Sequence, residues 1–256
     1  MDKNVSIKKI KNTLIMNRYL VKFFIRLAIF LSVLAAYLLH KEILVSFMTH
    51  RFTFGISEYG ISPLHVMWAL FMLMMIRHLL PQKVFTMALR KREPETFSEK
   101  NGYDELELLH FVQDMNVKAW MVLLVWLSGN AVFALLYLLK IIDGADMLML
   151  TVFYFLCDYI CILFFCPFQT FIMKNRCCVN CRIYDWGHFM MFTPMLFIKN
   201  FFSWSLFFTS VIVLIHWEII YAKHPERFWH GSNTTLDCAN CRDRICKFKK
   251  KLRNPV

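Results

Sequence analysis

Two tetrapeptides with identical spacing carry the clearest chemical signal in this sequence. Cys178-Val-Asn-Cys181 and Cys238-Ala-Asn-Cys241 each pair two thiols, and an arginine follows each of them. One such unit offers two thiolates to an ion, and two units can give the tetrahedral four-sulfur arrangement that zinc and iron accept. The expected metal ligands are Cys178, Cys181, Cys238 and Cys241, with Cys177 and Cys246 as additional candidates beside them.

The identity of the metal stays open at this level. Over about ten residues the paired C-x-x-C units resemble the knuckles of zinc ribbons and rubredoxin, which implies structural zinc or redox-active iron; the arginine after each unit, in place of glycine, departs from that pattern. The spacing Cys238-x2-Cys241-x4-Cys246 is not the ferredoxin run, so an iron–sulfur cluster is one further alternative. Independent thiols with redox chemistry are another, because the cations Lys174, Arg176 and Arg182 stand near Cys177 and Cys178 in the sequence.

Polar groups inside apolar stretches form a second set of candidates. Asp158 lies near the middle of one apolar stretch, and Asn130 lies at a similar depth in the preceding one. We expect these two side chains to meet, either as a functional intramembrane site or as a hydrogen bond between helices. Cys157 and Cys161 share a helix face, with Cys166 just beyond; they are either packing residues or a path for a metal ion toward Cys177 and Cys178.

Four histidines are candidate haem ligands, namely His65, His78, His188 and His216. Haem held by two imidazoles needs two histidines on different helices at one depth. His65 and His216 are expected toward the outer side if residues 189–222 cross the membrane plainly, and His78 and His188 toward the inner side.

The composition indicates which elements must position these residues. Of the 256 residues 58% are hydrophobic and 19% charged, whereas soluble domains contain about 45–50% and about 25%. Twenty-six Phe, sixteen Met and only seven Gly favour long apolar helices and exclude disordered, collagen-like and small disulfide-stapled chains. No P-loop, nucleophile elbow, H-E-x-x-H helix or Rossmann glycine pattern is present. The fold class predicted is an all-α, polytopic integral membrane bundle.

A helix needs about 20 apolar residues to cross the hydrocarbon core, and four stretches meet that requirement. They are residues 19–39, 62–80, 120–139 and 147–170. The predicted division is a basic arm (1–18), two spans (19–80), a loop with an amphipathic helix that lies on the membrane or on the C-terminal tail (81–119), a transmembrane hairpin (120–170), a cysteine knuckle (171–188), a fifth membrane segment (189–222) and a basic tail with the second knuckle (223–256).

The distribution of Lys and Arg predicts the orientation of these spans. Cations are concentrated before the first span, in the 81–119 loop and in the tail, so we expect all of these in the cytoplasm, in a multi-pass protein of the cell membrane. The long cationic side chains of Lys22 and Arg26 are expected to reach the interface. The net charge of +12 is therefore a topology signal, and no nucleic-acid partner is expected.

Residues 189–222 are too long for one crossing and short for two. A plain crossing would export the basic tail and separate the two C-x-x-C units. A re-entrant hairpin broken near Pro194 or Lys199-Asn200 keeps both units on one face. We favour the hairpin, with a plain crossing as the alternative.

The expected function is membrane-associated electron transfer by a Cys-ligated iron, iron–sulfur or zinc site, with a redox protein as partner. A transporter or relay for a soft metal ion is the first alternative, and a membrane scaffold with structural zinc is the second.

Overall fold

A computed structural model describes residues 14–49, 52–53, 60–81, 86–175, 177–241, 243, 245–246 and 249. Most of these residues are helical, and they include one antiparallel pair of two-residue strands, β1 (Phe52–Thr53) and β2 (Gly60–Ile61). The helices are α1 (Leu14–Thr49), α2 (Pro63–Leu79), α3 (Met87–Arg90), α4 (Glu105–Leu138), α5 (Gly144–Leu163), α6 (Gly187–Phe192) and α7 (Phe201–Lys223). The basic arm up to residue 13 and the end of the basic tail, including Arg242, lie outside the described residues.

Four helices of the described chain are long and apolar enough to cross a membrane, as the composition predicts. They are Met16–Glu42 within α1, α4, α5 and α7. The prediction of a full membrane span at residues 62–80 is wrong. The helix found there, α2, has only 17 residues, or about 25 Å of helix, which is too short to be counted with the other four. Proline limits α2 at both ends: Pro63 occupies its first turn, and Leu80 is extended before Pro81.

The helix α4 joins two elements that the sequence analysis separates. Asp104 caps its first turn by accepting a hydrogen bond from the Leu106 amide at 2.8 Å. The helix then runs for 34 residues, because no proline interrupts it before Leu138. The expected amphipathic helix in the 81–119 loop is therefore the first part of a helix that is long and apolar enough to cross a membrane. Its Phe111 ring stacks on Trp229 of the tail, with ring centroids 5.8 Å apart.

The fifth membrane segment is interrupted at the two predicted places. α6 passes into a 3-10 turn, Thr193–Phe197, that contains Pro194. The helical structure then ends, and α7 starts only after Asn200. The Asn200 side chain caps α7 by accepting from the Ser203 amide at 2.7 Å. Protein covers the irregular first arm, in which Met191, Phe192 and Met195 are all buried.

The two arms of this segment run in opposite directions along the bundle. α7 begins beside the start of α2, where the Phe202 and His65 ring centroids are 4.9 Å apart. It ends beside the cysteine knuckle, where Trp217 donates to the Arg182 carbonyl at 2.9 Å. The tail then returns to Cys178, whose sulfur lies 3.2 Å from Lys249 Nζ. Both C-x-x-C units therefore lie at one end of the bundle, as the favoured hairpin requires. The helix α7 alone is nevertheless long enough to cross a membrane, so the plain crossing stays open.

We call this end the cysteine-rich end; it is formed by the described residues within 16–26, 78–93, 158–188 and 216–249. Two buried clusters hold it together. One joins Tyr19 of α1, Tyr159 and Leu163 of α5, and Ile245 of the tail. The opposite end is formed by residues 37–41, 62–65, 139–146 and 200–202, where Lys41 meets the start of α5.

Candidate metal centre

Two histidines and one carboxylate meet at the cysteine-rich end. Candidate ligand atoms of His78, Asp185 and His188 all lie within 4.8 Å of one another. The Nδ1 atom of His78 is 2.9 Å from Asp185 Oδ1, and the two imidazole centroids are 4.5 Å apart. Within the described part of the chain, this is the one group of three or more His, Cys, Asp or Glu residues that meets the 4.8 Å limit.

Three different elements supply these side chains. His78 belongs to the last turn of α2, Asp185 to the 3-10 turn Tyr184–Trp186, and His188 to the first turn of α6. Arg92 fixes the end of α2, since its guanidinium donates to the His78 carbonyl and, at 3.1 Å, to the Leu80 carbonyl. The same guanidinium lies 4.0 Å from Asp185 Oδ2, an atom for which the described residues provide no hydrogen-bond donor. The arrangement leaves one carboxylate oxygen available to an ion.

The surroundings of His188 favour its neutral form, which is the form that can bind a metal ion. Desolvation lowers the pKa of His188 well below its usual value, and the nearby His78 and Arg26 lower it further. A neutral imidazole is the form that binds a metal ion. Asp185 is almost fully buried, with 3% of its side chain exposed. Two half-buried imidazoles and one buried carboxylate therefore meet at this place.

A buried ion pair lies directly beside this group. Arg26 Nη1 donates to Asp158 Oδ2 at 2.8 Å and to the Phe155 carbonyl at 2.6 Å. The guanidinium also lies 4.0 Å from the ring centroids of both Phe155 and Tyr159. Arg26 is therefore paired within the bundle, between a carboxylate and two aromatic rings.

The predicted contact between Asn130 and Asp158 is wrong. Asn130 Nδ2 donates to the Trp126 carbonyl at 2.9 Å, and its Oδ1 is 3.5 Å from the Tyr154 hydroxyl. Asn130 thus faces α5 one turn before Asp158. A full positive charge satisfies a carboxylate better than an amide does, so Arg26 takes that position.

Gly187 allows the Arg26–Asp158 ion pair to lie close to the histidines. A Cβ atom at this position would lie 2.7 Å from Asp158 Oδ1, which is closer than such contacts allow. Glycine therefore permits α6 to begin against the carboxylate. This close approach brings His188 beside the Arg26–Asp158 pair.

The six predicted metal-binding cysteines lie at the same end in unlike surroundings. Cys178 and Cys181 are buried, Cys238 is exposed, and Cys177, Cys241 and Cys246 are half-buried. Cys178 Sγ faces Lys249, and Cys181 packs in the apolar cluster around Trp217. These sulfurs form no group of three within 4.8 Å among the described residues, so metal binding by the two C-x-x-C units stays a prediction.

The haem hypothesis does not fit the histidine positions. His78 and His188 touch edge to face, which leaves no room for a porphyrin between their rings. His65 lies level with Phe202, and His216 lies fourteen residues further along α7, or about 21 Å. Neither pair can therefore hold a haem between its imidazoles.

The sequence analysis did not identify Asp185 or Arg92 as functional residues. It considered His78 and His188 together only as haem ligands, and not as ligands of a single metal ion. Asp185-Trp-Gly-His188 was one available signal, because it places two ligand types beside a glycine in a segment between membrane helices. Arg92 belongs to a run of basic residues, which the sequence analysis used only to predict the orientation of the spans. Comparison of the chain with family models, curated proteins and solved structures found no match.

Proposed function

We propose that this protein is an integral membrane protein that holds a resident transition-metal ion at His78, Asp185 and His188 and uses it in membrane-associated electron transfer. The observation that carries the proposal is the convergence of these three candidate ligands, from three elements, within 4.8 Å. Two imidazoles and one carboxylate suit iron, zinc or another first-row ion, and they leave further coordination positions open.

Packing beyond the histidines favours a resident ion over a transported one. Toward the opposite end, the next residues along α2 and α6 are Met75, Met191 and Phe192, which are 0%, 3% and 1% exposed. They pack with Leu206 and Val213 of α7 in one apolar cluster. Transport requires successive sites from which an ion can leave, and this cluster offers none along that direction.

The surroundings of the site also suit a redox role. Apolar walls control solvent access and thereby the reduction potential of a bound metal. The charges of Arg26 and Arg92 beside the ligands favour the state with lower positive charge, which is the reduced one. A redox partner protein would dock at the cysteine-rich end, where the site is nearest to the surface.

Metal analysis of the purified protein tests this proposal. We expect about one equivalent of a transition metal, retained through a chelator wash, together with a reversible redox signal. His188→Gln should remove the metal. His65→Gln is the matched control, because His65 lies on the same helix as His78 but at its other end, and it should retain the metal.

Replacement of Cys178, Cys181, Cys238 and Cys241 by serine separates the two candidate sites. Retention of metal in this fourfold variant supports the histidine site. Loss of metal in the fourfold variant, with retention in His188→Gln, would instead assign the ion to the paired C-x-x-C units. A colourless protein that holds only zinc would contradict electron transfer and favour the scaffold alternative.

A further inference from the structure

A cavity lies between α1, α4 and α5, next to the opposite end of the bundle. Its volume is about 350 Å³. Pockets that bind small ligands usually measure about 300–1,000 Å³, so this one is large enough for part of a lipid-sized molecule. The lining residues that matter here are Phe30 and Tyr37 of α1, Leu136 of α4, and Asp146 and Phe153 of α5.

The cavity is elongated, with one polar end and one apolar end. At the polar end the Tyr37 hydroxyl donates to the Asp146 carboxylate. At the apolar end the rings of Phe30 and Phe153 lie with their centroids 6.1 Å apart. Seven residues separate these two contacts on each helix, which corresponds to about 10 Å along the helix axes. Phe153 is 44% exposed, so the cavity opens sideways, toward the surface that lipid chains would cover.

The polar end carries charges of both signs. Lys41 Nζ lies 2.7 Å from Asp143 Oδ2 and donates to Asp146 Oδ1 at 3.0 Å. An ammonium group has three N–H donors, and these contacts use two of them, which leaves the third for an anion. The three side chains together carry two negative charges and one positive charge. The Asp143 side chain is 60% exposed, so its carboxylate can accept from a second cation.

We propose that this cavity binds one molecule of phosphatidylethanolamine. One acyl chain occupies the space between Phe30 and Leu136, the phosphate accepts from Lys41, and the primary ammonium of the head group donates to Asp143. The site is independent of the proposed metal ion, which lies at the other end of the bundle.

The charges at the polar end distinguish this lipid from its common neighbours in a bilayer. Phosphatidylcholine carries a quaternary ammonium, which has no N–H to donate to Asp143. Phosphatidylglycerol carries a phosphate and no cation, so its head group meets the excess negative charge of the two aspartates unpaired. Only a primary ammonium forms charge-assisted hydrogen bonds with these carboxylates.

Native mass spectrometry of the delipidated full chain in detergent tests the proposal. The probes are the dioleoyl forms of phosphatidylethanolamine, phosphatidylcholine and phosphatidylglycerol, each added separately. We expect one phosphatidylethanolamine per chain, bound about tenfold more tightly than either of the other two lipids. Asp143→Asn should abolish the preference for phosphatidylethanolamine over phosphatidylcholine, because the substitution removes the charge that faces the ammonium.

Two neighbouring leucines of α4 provide a matched pair of variants. Leu136 lines the cavity, so Leu136→Trp should fill it and abolish binding of phosphatidylethanolamine. Leu135 is 56% exposed and does not line the cavity, so Leu135→Trp should bind the lipid as the wild type does. The metal content of both variants should equal that of the wild type, which separates this test from that of the metal site.

The comparison of the three lipids on the wild type decides the proposal even where a variant does not fold. Equal binding of the three, or no binding of phosphatidylethanolamine, would overturn it. Undiminished lipid binding by Leu136→Trp would also overturn it, because the lipid would then lie elsewhere. A wild-type dimer that binds no lipid and that Leu136→Trp dissociates would assign the cavity to a second copy of the chain instead.

Discussion

Both ends of the helix bundle hold charged groups, but water reaches them to different extents. At the opposite end Lys41 pairs with Asp143 at 2.7 Å, and their side chains are 36% and 60% exposed. At the cysteine-rich end Arg26 pairs with Asp158 at 2.8 Å, with 11% and 28% exposed. Water can replace either partner of the first pair, whereas each member of the second depends on the other.

This difference indicates where the protein concentrates its chemistry. Taking two charges out of water is costly, and the attraction between them does not by itself make such a pair stabilising. The cysteine-rich end nevertheless holds two buried ionic groups side by side, Arg26–Asp158 and Arg92–Asp185. Charged groups retained between apolar helices are candidate functional groups, which is why the function proposed above is placed at this end.

Removing one partner of the buried pair should have the largest effect. Asp158→Asn leaves the Arg26 guanidinium buried between two rings without a counter-charge, and it should lower the free energy of unfolding by about 3–5 kcal/mol. Thermal or denaturant unfolding in detergent measures this loss. The double variant Arg26→Met/Asp158→Leu should recover most of it, and a double variant as unstable as the single one would contradict the pairing.

Metal removal should have the next largest effect. An ion at about one hundred times its dissociation constant stabilises the folded protein by about 2.7 kcal/mol. A chelator should therefore lower the unfolding temperature of the wild type and leave that of His188→Gln unchanged. An equal response of the two proteins to the chelator would place the ion elsewhere.

The pH dependence of the free energy of unfolding should show that the buried Lys91 has a lowered pKa. Its Nζ donates to the Val179 and Cys181 carbonyls at 2.9 and 2.7 Å, and burial lowers its pKa to about 7. Between about pH 7 and its usual value near 10.5 the unfolded chain binds the proton and the folded chain does not, so stability rises with pH.

Lys91→Met should remove this slope, which amounts to about 2 kcal/mol between about pH 7 and 8.5. Unfolding at several pH values measures it. Parallel curves for the two proteins would show that Lys91 keeps its charge in the folded state.

The smallest effect belongs to the opposite end. Asp143→Asn removes the charge that faces Lys41 but keeps an oxygen that can accept from the Ala145 amide at the start of α5. The expected loss is below about 1 kcal/mol, because exposed pairs contribute little. A loss as large as that of Asp158→Asn would remove the contrast between the two ends.

The sequence predicts the helices better than the contacts between them. Uninterrupted apolar runs and the breaks at Pro194 and Asn200 follow from local chemistry, and both appear in the structure. The continuity of α4 was also predictable, because no proline separates its amphipathic start from its apolar end. By contrast, Arg26 and Asp158 are 132 residues apart, and Asn130 was an equally plausible partner until the helix positions were known.

The proposed metal site illustrates the same limit. His78, Asp185 and His188 come from three elements, and no spacing rule connects the first to the other two. The paired C-x-x-C units have a recognisable spacing, yet Cys178 and Cys181 face different clusters. A motif reports which ligands are available, and the packing of helices decides which of them meet.

X-ray absorption at the edge of the bound metal tests the central claim most directly, because it reports the atoms nearest to the ion. Ligation by two histidines and an aspartate predicts nitrogen and oxygen at about 2.0–2.2 Å and no sulfur. His188→Gln should lose this signal, and His65→Gln should retain it. A shell of sulfur atoms at about 2.3 Å would place the ion on the cysteines and contradict the account.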